Sequence, residues 1–381
     1  MNRTNKDLSD FLEKYNLKKW EGNADIRSLP KQPLLYRLES DKFKEEKFFE
    51  EINKNCIPDF DKKCSILCAH FSPFVYEFEG LGFPMFLKST YPNAKIHMSY
   101  DKGGVNAYNF EVLSDGTIKK SQFLEKYDLI IARSSCLINM MRRKQDKKIV
   151  EKSKYKINIK TMSYKPNYKY ADYYFEEEDC CPPPDPFYVK DCDKIIKNTN
   201  KENLIVVSGT LWNVKNQLSL FEALDPNIIK KYEVVIMGPE RDKEYVRKIR
   251  EVCDLKKIKY YLIGNVNRYL ALEIKALSKL SIISMDMRIF GQPKGYPRTL
   301  GESIGAKCLT LCNKPVTIPD YYKETCIVYN QEIKNDINIK IEKCLKMIET
   351  ENFFNSHNWG NQDFYKFCNV LKEKCFQLGE I

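Results

Sequence analysis

A chain of 381 residues with 63 basic against 52 acidic side chains, net +11, is long enough for two domains with a core in each. Aromatic residues reach 13% and neither glycine nor proline is enriched, which excludes a linker or a disordered scaffold. No window approaches the roughly twenty apolar residues of a membrane span, and MNRTNKDLSD carries no apolar leader, so the expected setting is cytoplasmic.

Residues 1–55 are charge-rich with helical spacing (Leu8, Phe11, Leu12, Tyr15, then Phe43, Phe48, Phe49, Ile52), which predicts helices laid against the first domain. From residue 64 short apolar runs alternate with helical stretches. CSILCAHF, AKIHMSY, YDLIIARSS and YKINIKTMSY read as strands, with helices near 76–90 and 136–151, so a mostly parallel sheet is expected. The basic run MMRRKQDKKIVEKSKYK, 140–156, reads as a solvated helix face, with peripheral contact to an anionic membrane surface as the sharper alternative.

The acidic, triple-proline segment EEEDCCPPPDPFYVKDCDK, 176–194, cannot continue a helix or a central strand and marks the domain boundary. Beyond it the alternation restarts. Six strands (NLIVVSG, YEVVIMG, IKYYLIG, LSIISMD, KCLTLC, TCIVYN) separated by helices predict a second doubly wound sheet. The expected architecture is α/β: an N-terminal Rossmann-like domain over 1–190 and a C-terminal one over 200–345, facing a central cleft. A final helix within 355–381 is expected to pack back on the first domain.

Fourteen cysteines lie in apolar segments such as AKCLTLC, without zinc-knuckle spacing, and read as reduced core residues. With three histidines in the chain, no structural metal is expected.

Two stretches carry candidate chemistry. In SGTLWNVKNQLSLFEAL, Gly209 lets the chain leave the strand tightly, and Lys215 precedes a helix whose free N–H groups suit a phosphate. An ordinary surface lysine is the plainer alternative. In KGYPRTLGES, Gly295 permits close backbone approach, Pro297 suits the first helical position, and the N–H groups of Arg298, Thr299 and Leu300 follow. Glu302, one turn on, is able to accept two hydrogen bonds from a diol; equally, it is a helix-start acid favoured by the dipole.

These two stretches, with MGPE after the second strand and IGNVN after the third, resemble the nucleotide-sugar-binding domain of GT-B glycosyltransferases, specifically the retaining family 4 group, over 204–330. The resemblance implies a glycosyltransferase that moves a sugar from a nucleotide-diphosphate sugar to a hydroxyl acceptor (a glycan, lipid-linked or protein glycan), without a cofactor or catalytic metal. It places Lys215 on the donor diphosphate, Glu302 on the ribose, Gly264, Asn265 and Val266 along the base, and the turn Gly295, Tyr296, Arg298, Thr299 and Leu300 around phosphate and sugar. Gly209 shapes the first loop.

Two departures stand out. Thr210 occupies the place of an expected arginine, for which Arg298 is the candidate replacement. Lys294 occupies the place of a second glutamate, with Asp286 as its candidate substitute, so the chain has either an altered substrate or binding without turnover. In the first domain His70 is the catalytic candidate, and Gly104 and Arg133 belong to the acceptor side.

Competing readings are weaker. Asp191-Cys192-Asp193 and Asp59-Phe60-Asp61 have the spacing of a metal-binding Asp-x-Asp, but neither ends a convincing strand. No G-x-G-x-x-G follows a strand, since EGLGFP lacks the third glycine, and the basic run lacks the interleaved aromatics of a nucleic-acid interface.

Overall fold

The computed structural model describes residues 3–17, 64–71, 84, 87–88, 93–102, 106–113, 118–133, 136–159, 170–175, 200–266, 268–285, 298–313, 318, 322–350 and 353–356. The chain divides into two compact units, one built mainly on residues 26–187 and the other on 188–361 together with the N-terminal segment to residue 25. Each holds one doubly wound α/β sheet.

The first sheet contains β1 (Ser65–Ala69), β2 (Lys95–Lys102), β3 (Asn106–Val112), β4 (Ile118–Lys120), β5 (Leu129–Arg133), β6 (Tyr155–Ile159) and β7 (Tyr173–Phe175). Their order is β4-β3-β2-β1-β5-β6-β7. The core strands are parallel as expected, but β3 runs antiparallel to both of its neighbours, β2 and β4, with Lys102 opposite Asn106. Helices α2 (Cys136–Arg142) and α3 (Lys144–Lys152) bury Leu137, Met140, Ile149 and Val150 against Leu67, Ile130 and Ala132. The basic run therefore has an apolar inner face, while Arg142, Lys144, Lys147, Lys148 and Lys152 are exposed. Asp146 is buried on that stretch and pairs with Arg143.

The second sheet is wholly parallel: β8 (Glu202–Ser208), β9 (Glu233–Met237), β10 (Tyr260–Gly264), β11 (Ser278–Ile283), β12 (Leu309–Asn313) and β13 (Cys326–Tyr329), in the order β10-β9-β8-β11-β12-β13. Its strands are continuous apolar runs because both faces are covered. Successive residues alternate between two cores. Ile205, Val207, Val234 and Ile236 face α4 (Gln217–Ala223), α5 (Lys243–Leu255), α7 (Arg298–Gly305) and α8 (Asp336–Ile348). Leu204, Val206, Val235 and Met237 face α6 (Arg268–Leu277) and the N-terminal helix α1 (Arg3–Lys14).

That last contact differs from the sequence expectation. Helix α1 buries Phe11 and Leu12 in the second unit, against β10, the edge strand of its sheet. Asp7 accepts the main-chain N–H of Leu262 and the Arg250 guanidinium, which also donates to the Leu262 carbonyl. An open sheet edge leaves such groups exposed, and α1 covers them. Arg3 makes a bidentate pair with Asp254, and Lys14 pairs with Glu233.

None of the described cysteines forms a disulfide, and all eight are buried. Among the described residues no helix is long and apolar enough to cross a membrane. The expected helices near 43–52, the expected final helix beyond residue 356, the boundary segment 176–194, both Asp-x-Asp triplets and most of 76–90 lie outside the described residues.

Candidate functional site

Three glycines mark the carboxyl ends of neighbouring strands in the second sheet. Gly209 follows β8, Gly238 follows β9 and Gly264 ends β10, all at positive φ. The Gly209 N–H donates to Met237 and the Gly238 N–H to Gly264, which draws the three turns together. A Cβ on Gly238 would lie 2.0 Å from the Gly209 oxygen, so only glycine fits there.

Past Gly209 the chain pairs Leu211 with Glu240, and the Arg241 guanidinium stacks 4.1 Å from the centre of the Trp212 ring. A 3-10 turn over Asn213–Lys215 then delivers Lys215 to the start of α4. Three contacts fix this turn. Ser284, just after β11, donates to the Lys215 carbonyl at 2.7 Å. Asn216, in the left-handed region at φ 53, donates to Gln331 at 2.9 Å. Gln217 is buried and donates to the Thr210 carbonyl at 3.1 Å.

Behind them Asn313 is fully buried at the end of β12. Its amide takes the Met285 N–H, donates to the Met285 carbonyl at 2.6 Å, and donates to Gln331 at 3.3 Å. A polar chain thus runs from β11 through β12 to the Lys215 turn.

The Lys215 ammonium itself has no hydrogen-bond or ion-pair partner among the described residues. Burial alone displaces its pKa, downward. A partly desolvated cation lacking a carboxylate is stabilised by an incoming anion. Neither Thr210 nor any described acid competes for that place.

Glu302 lies in α7, whose Leu300 and Ile304 sit in the core on one face of the sheet. Its carboxylate turns the other way, to α6, and pairs with Lys275. The Lys275 side chain is 3% exposed and that of Glu302 is 27% exposed. Ser303, next to Glu302, hydrogen bonds Ser281 of β11 at 3.0 Å and donates to the Thr299 carbonyl, locking the helix to the sheet.

Of the sequence-derived donor residues, Gly209 and Lys215 occupy the carboxyl end of β8, and Gly264, Asn265 and Val266 that of β10. Thr299, Leu300 and Glu302 fall in the first turns of α7. Leu300 is fully buried core, so its side chain is structural. Val266 packs into the apolar cluster with α1. Asp286, Lys294, Gly295 and Tyr296 lie outside the described residues, as does the side chain of Arg298.

In the first unit His70 follows β1 at φ 68, its N–H donating to the Ser99 hydroxyl at 3.2 Å. Arg133 ends the adjacent strand β5, so these two candidates share one end of the sheet. Gly104 lies outside the described residues, in the link between antiparallel β2 and β3.

Sequence reasoning missed Lys275, Ser284, Asn313, Gln331 and the Trp212–Arg241 stack. Only Lys275 had a visible signal, a lysine inside the apolar helix RYLALEIKAL.

No protein-family model matches the chain, and no curated protein matches it. Solved structures do. A glycosyltransferase from Rickettsia africae aligns with TM-score 0.56 at 12% identity, over 84% of this chain and 98% of that one. The catalytic domain of starch synthase IV from Arabidopsis thaliana, bound to ADP and acarbose, aligns with TM-score 0.51 at 9% identity, over 83% and 98%. Anabaena HepE in complex with UDP aligns with TM-score 0.50 at 11% identity, over 82% and 98%. The fold is therefore that of the GT-B glycosyltransferases, two Rossmann-like units in tandem.

Proposed function

We propose that the chain is a glycosyltransferase that moves a sugar from a nucleotide-diphosphate sugar to a hydroxyl acceptor, a glycan or lipid-linked glycan, in the cytoplasm, with retention and without a bound metal. The observation that carries this reading is Lys215: an ammonium without a partner among the described residues, partly desolvated, and held by Ser284 and Asn216 at the carboxyl end of the central strand. That end of a doubly wound sheet is where ligands bind. The UDP and ADP bound to the similar structures support a nucleoside diphosphate as the ligand.

In this reading Lys215 takes the diphosphate, and its positive charge stabilises the negative charge that develops as the sugar–phosphate bond breaks. The backbone N–H groups of residues 295, 296, 298 and 299, with the Arg298 side chain, add to that, Glu302 accepts the ribose hydroxyls, and Gly264 and Asn265 line the base. Lys294 and Asp286 flank the transferred sugar, while His70, Gly104 and Arg133 serve the acceptor. The exposed lysines of α3 offer a surface for an anionic membrane.

A second reading has its own observation, the lysine at 294 in place of an acid. It makes the chain a nucleotide-sugar or glycan-binding protein without turnover. One experiment separates the two: a thermal-shift screen against UDP-, GDP-, ADP- and dTDP-sugars, followed by an assay of donor hydrolysis with and without EDTA. Turnover that survives EDTA supports the enzyme. Binding with no hydrolysis or transfer favours the second reading, and no binding of any donor overturns both.

A further inference from the structure

Helix α6 presents Leu270, Ile274 and Leu277 to the apolar core between itself and the sheet. Lys275, adjacent to Ile274, is almost fully buried. A buried ammonium is strongly disfavoured without a partner, and its partner is the Glu302 carboxylate. An apolar side chain of similar length would fill this place at least as favourably as an ion pair. The arrangement is also unequal: the cation is sealed off, whereas the carboxylate is partly exposed.

We propose that Lys275 is the positioning residue for Glu302, fixing the rotation of the carboxylate so that it accepts hydrogen bonds from a vicinal diol of the ligand. This rests on the nucleotide reading above, in which that diol belongs to the ribose. A charge-assisted bond from the buried side holds the carboxylate so that its exposed part can accept O–H donors. A carboxylate turned away from that geometry meets a diol less well. The residue touches no ligand atom and acts through Glu302.

The test uses the full chain and calorimetric titration with UDP, ADP and GDP and their 2′-deoxy forms. The wild type should bind at least one ribonucleotide about five- to tenfold more tightly than its 2′-deoxy form, as expected for one lost hydrogen bond. Lys275→Met should bring the two affinities within about twofold, by weakening the ribose form while sparing the deoxy form. Should Lys275→Met fail to fold, Lys275→Met in a Glu302→Gln background, where no charge is left unpaired, carries the test. There it should change neither affinity.

An unchanged ribose preference in folded Lys275→Met would overturn the proposal, as would a further loss for both nucleotides in the double variant. Failure of the wild type to bind any of the three ribonucleotides would instead overturn the nucleotide reading itself. Tight binding with no ribose preference would overturn only the role assigned to the pair.

Discussion

The carboxylate of Asp7 accepts the main-chain N–H of Leu262 at 3.2 Å, across 255 positions of sequence, and the same oxygen takes the Arg250 guanidinium at 2.7 Å. The helix that begins the chain thus serves as the side wall of the second sheet. Asp7→Ala should leave Arg250 and an edge N–H without their carboxylate, lowering stability of the second unit by about 2–3 kcal/mol. Urea denaturation checks this. An unchanged midpoint would show that the edge does not need the Asp7 carboxylate.

Lys215 gives a prediction with a pH sign. Burial lowers its pKa in the free chain, so a bound diphosphate should raise it again and take up a proton at alkaline pH. Diphosphate affinity should therefore hold while the ammonium is charged and fall as the pH rises through its free-state pKa. Lys215→Gln should weaken UDP or ADP binding by about 1.5–3 kcal/mol and remove the alkaline fall. Calorimetry across the pH range decides both points.

His97 should make the first unit acid-sensitive. Its ring is fully buried, with Nδ1 against the Tyr127 hydroxyl at 2.7 Å and the Asn109 amide at 3.3 Å. Burial pushes its pKa down to about 4, outweighing the pull of Glu111. The unfolded chain protonates near pH 6.5 and the folded one does not, so stability is lost as the pH falls from 6.5 toward 4, by up to about 3 kcal/mol. His97→Gln should flatten that part of the stability profile relative to wild type. Equal slopes would contradict the buried neutral ring.

At Gly238 the expectation is steric. The Cβ of Gly238→Ala would stand 2.0 Å from the Gly209 oxygen at φ 147, and the two turns must separate to admit it. A loss of at least about 3 kcal/mol is expected from strain and clash together. Thermal unfolding measures the loss, and Gly209→Ala, whose Cβ meets only Gln217 at 3.8 Å, isolates the effect of positive φ.

Asn313 tests whether the Lys215 turn needs its polar support. Asn313→Ala should strand the Met285 N–H and carbonyl in a buried setting, at about 1–3 kcal/mol, and weaken diphosphate binding as the Gln331–Asn216 contact loosens. If stability falls with no change in affinity, the network supports the fold alone.

Much of the second unit was legible in sequence because its signals are local. Apolar runs of strand length predicted the six parallel strands, and the first three of those runs end in Gly209, Gly238 and Gly264. The interval from Pro297 to Glu302 predicted an acid just inside a helix, and α7 holds one. The first sheet was less legible: an antiparallel β2–β3 pair and a parallel crossover present similar apolar runs, and the direction of return depends on pairing partners.

What the sequence determined by itself was which residues must be buried and where the chain must turn, since both follow from side-chain chemistry within a few residues. What only the tertiary structure decided was the partner each buried group meets. The stripe of Phe11 and Leu12 requires an apolar surface without naming it, and Asp7 with Arg250, 243 positions apart, selects β10. Lys275 likewise demands a counter-charge, and only the packing of α6 beside α7 supplies Glu302. Such pairings depend on distance in space, which sequence separation does not encode.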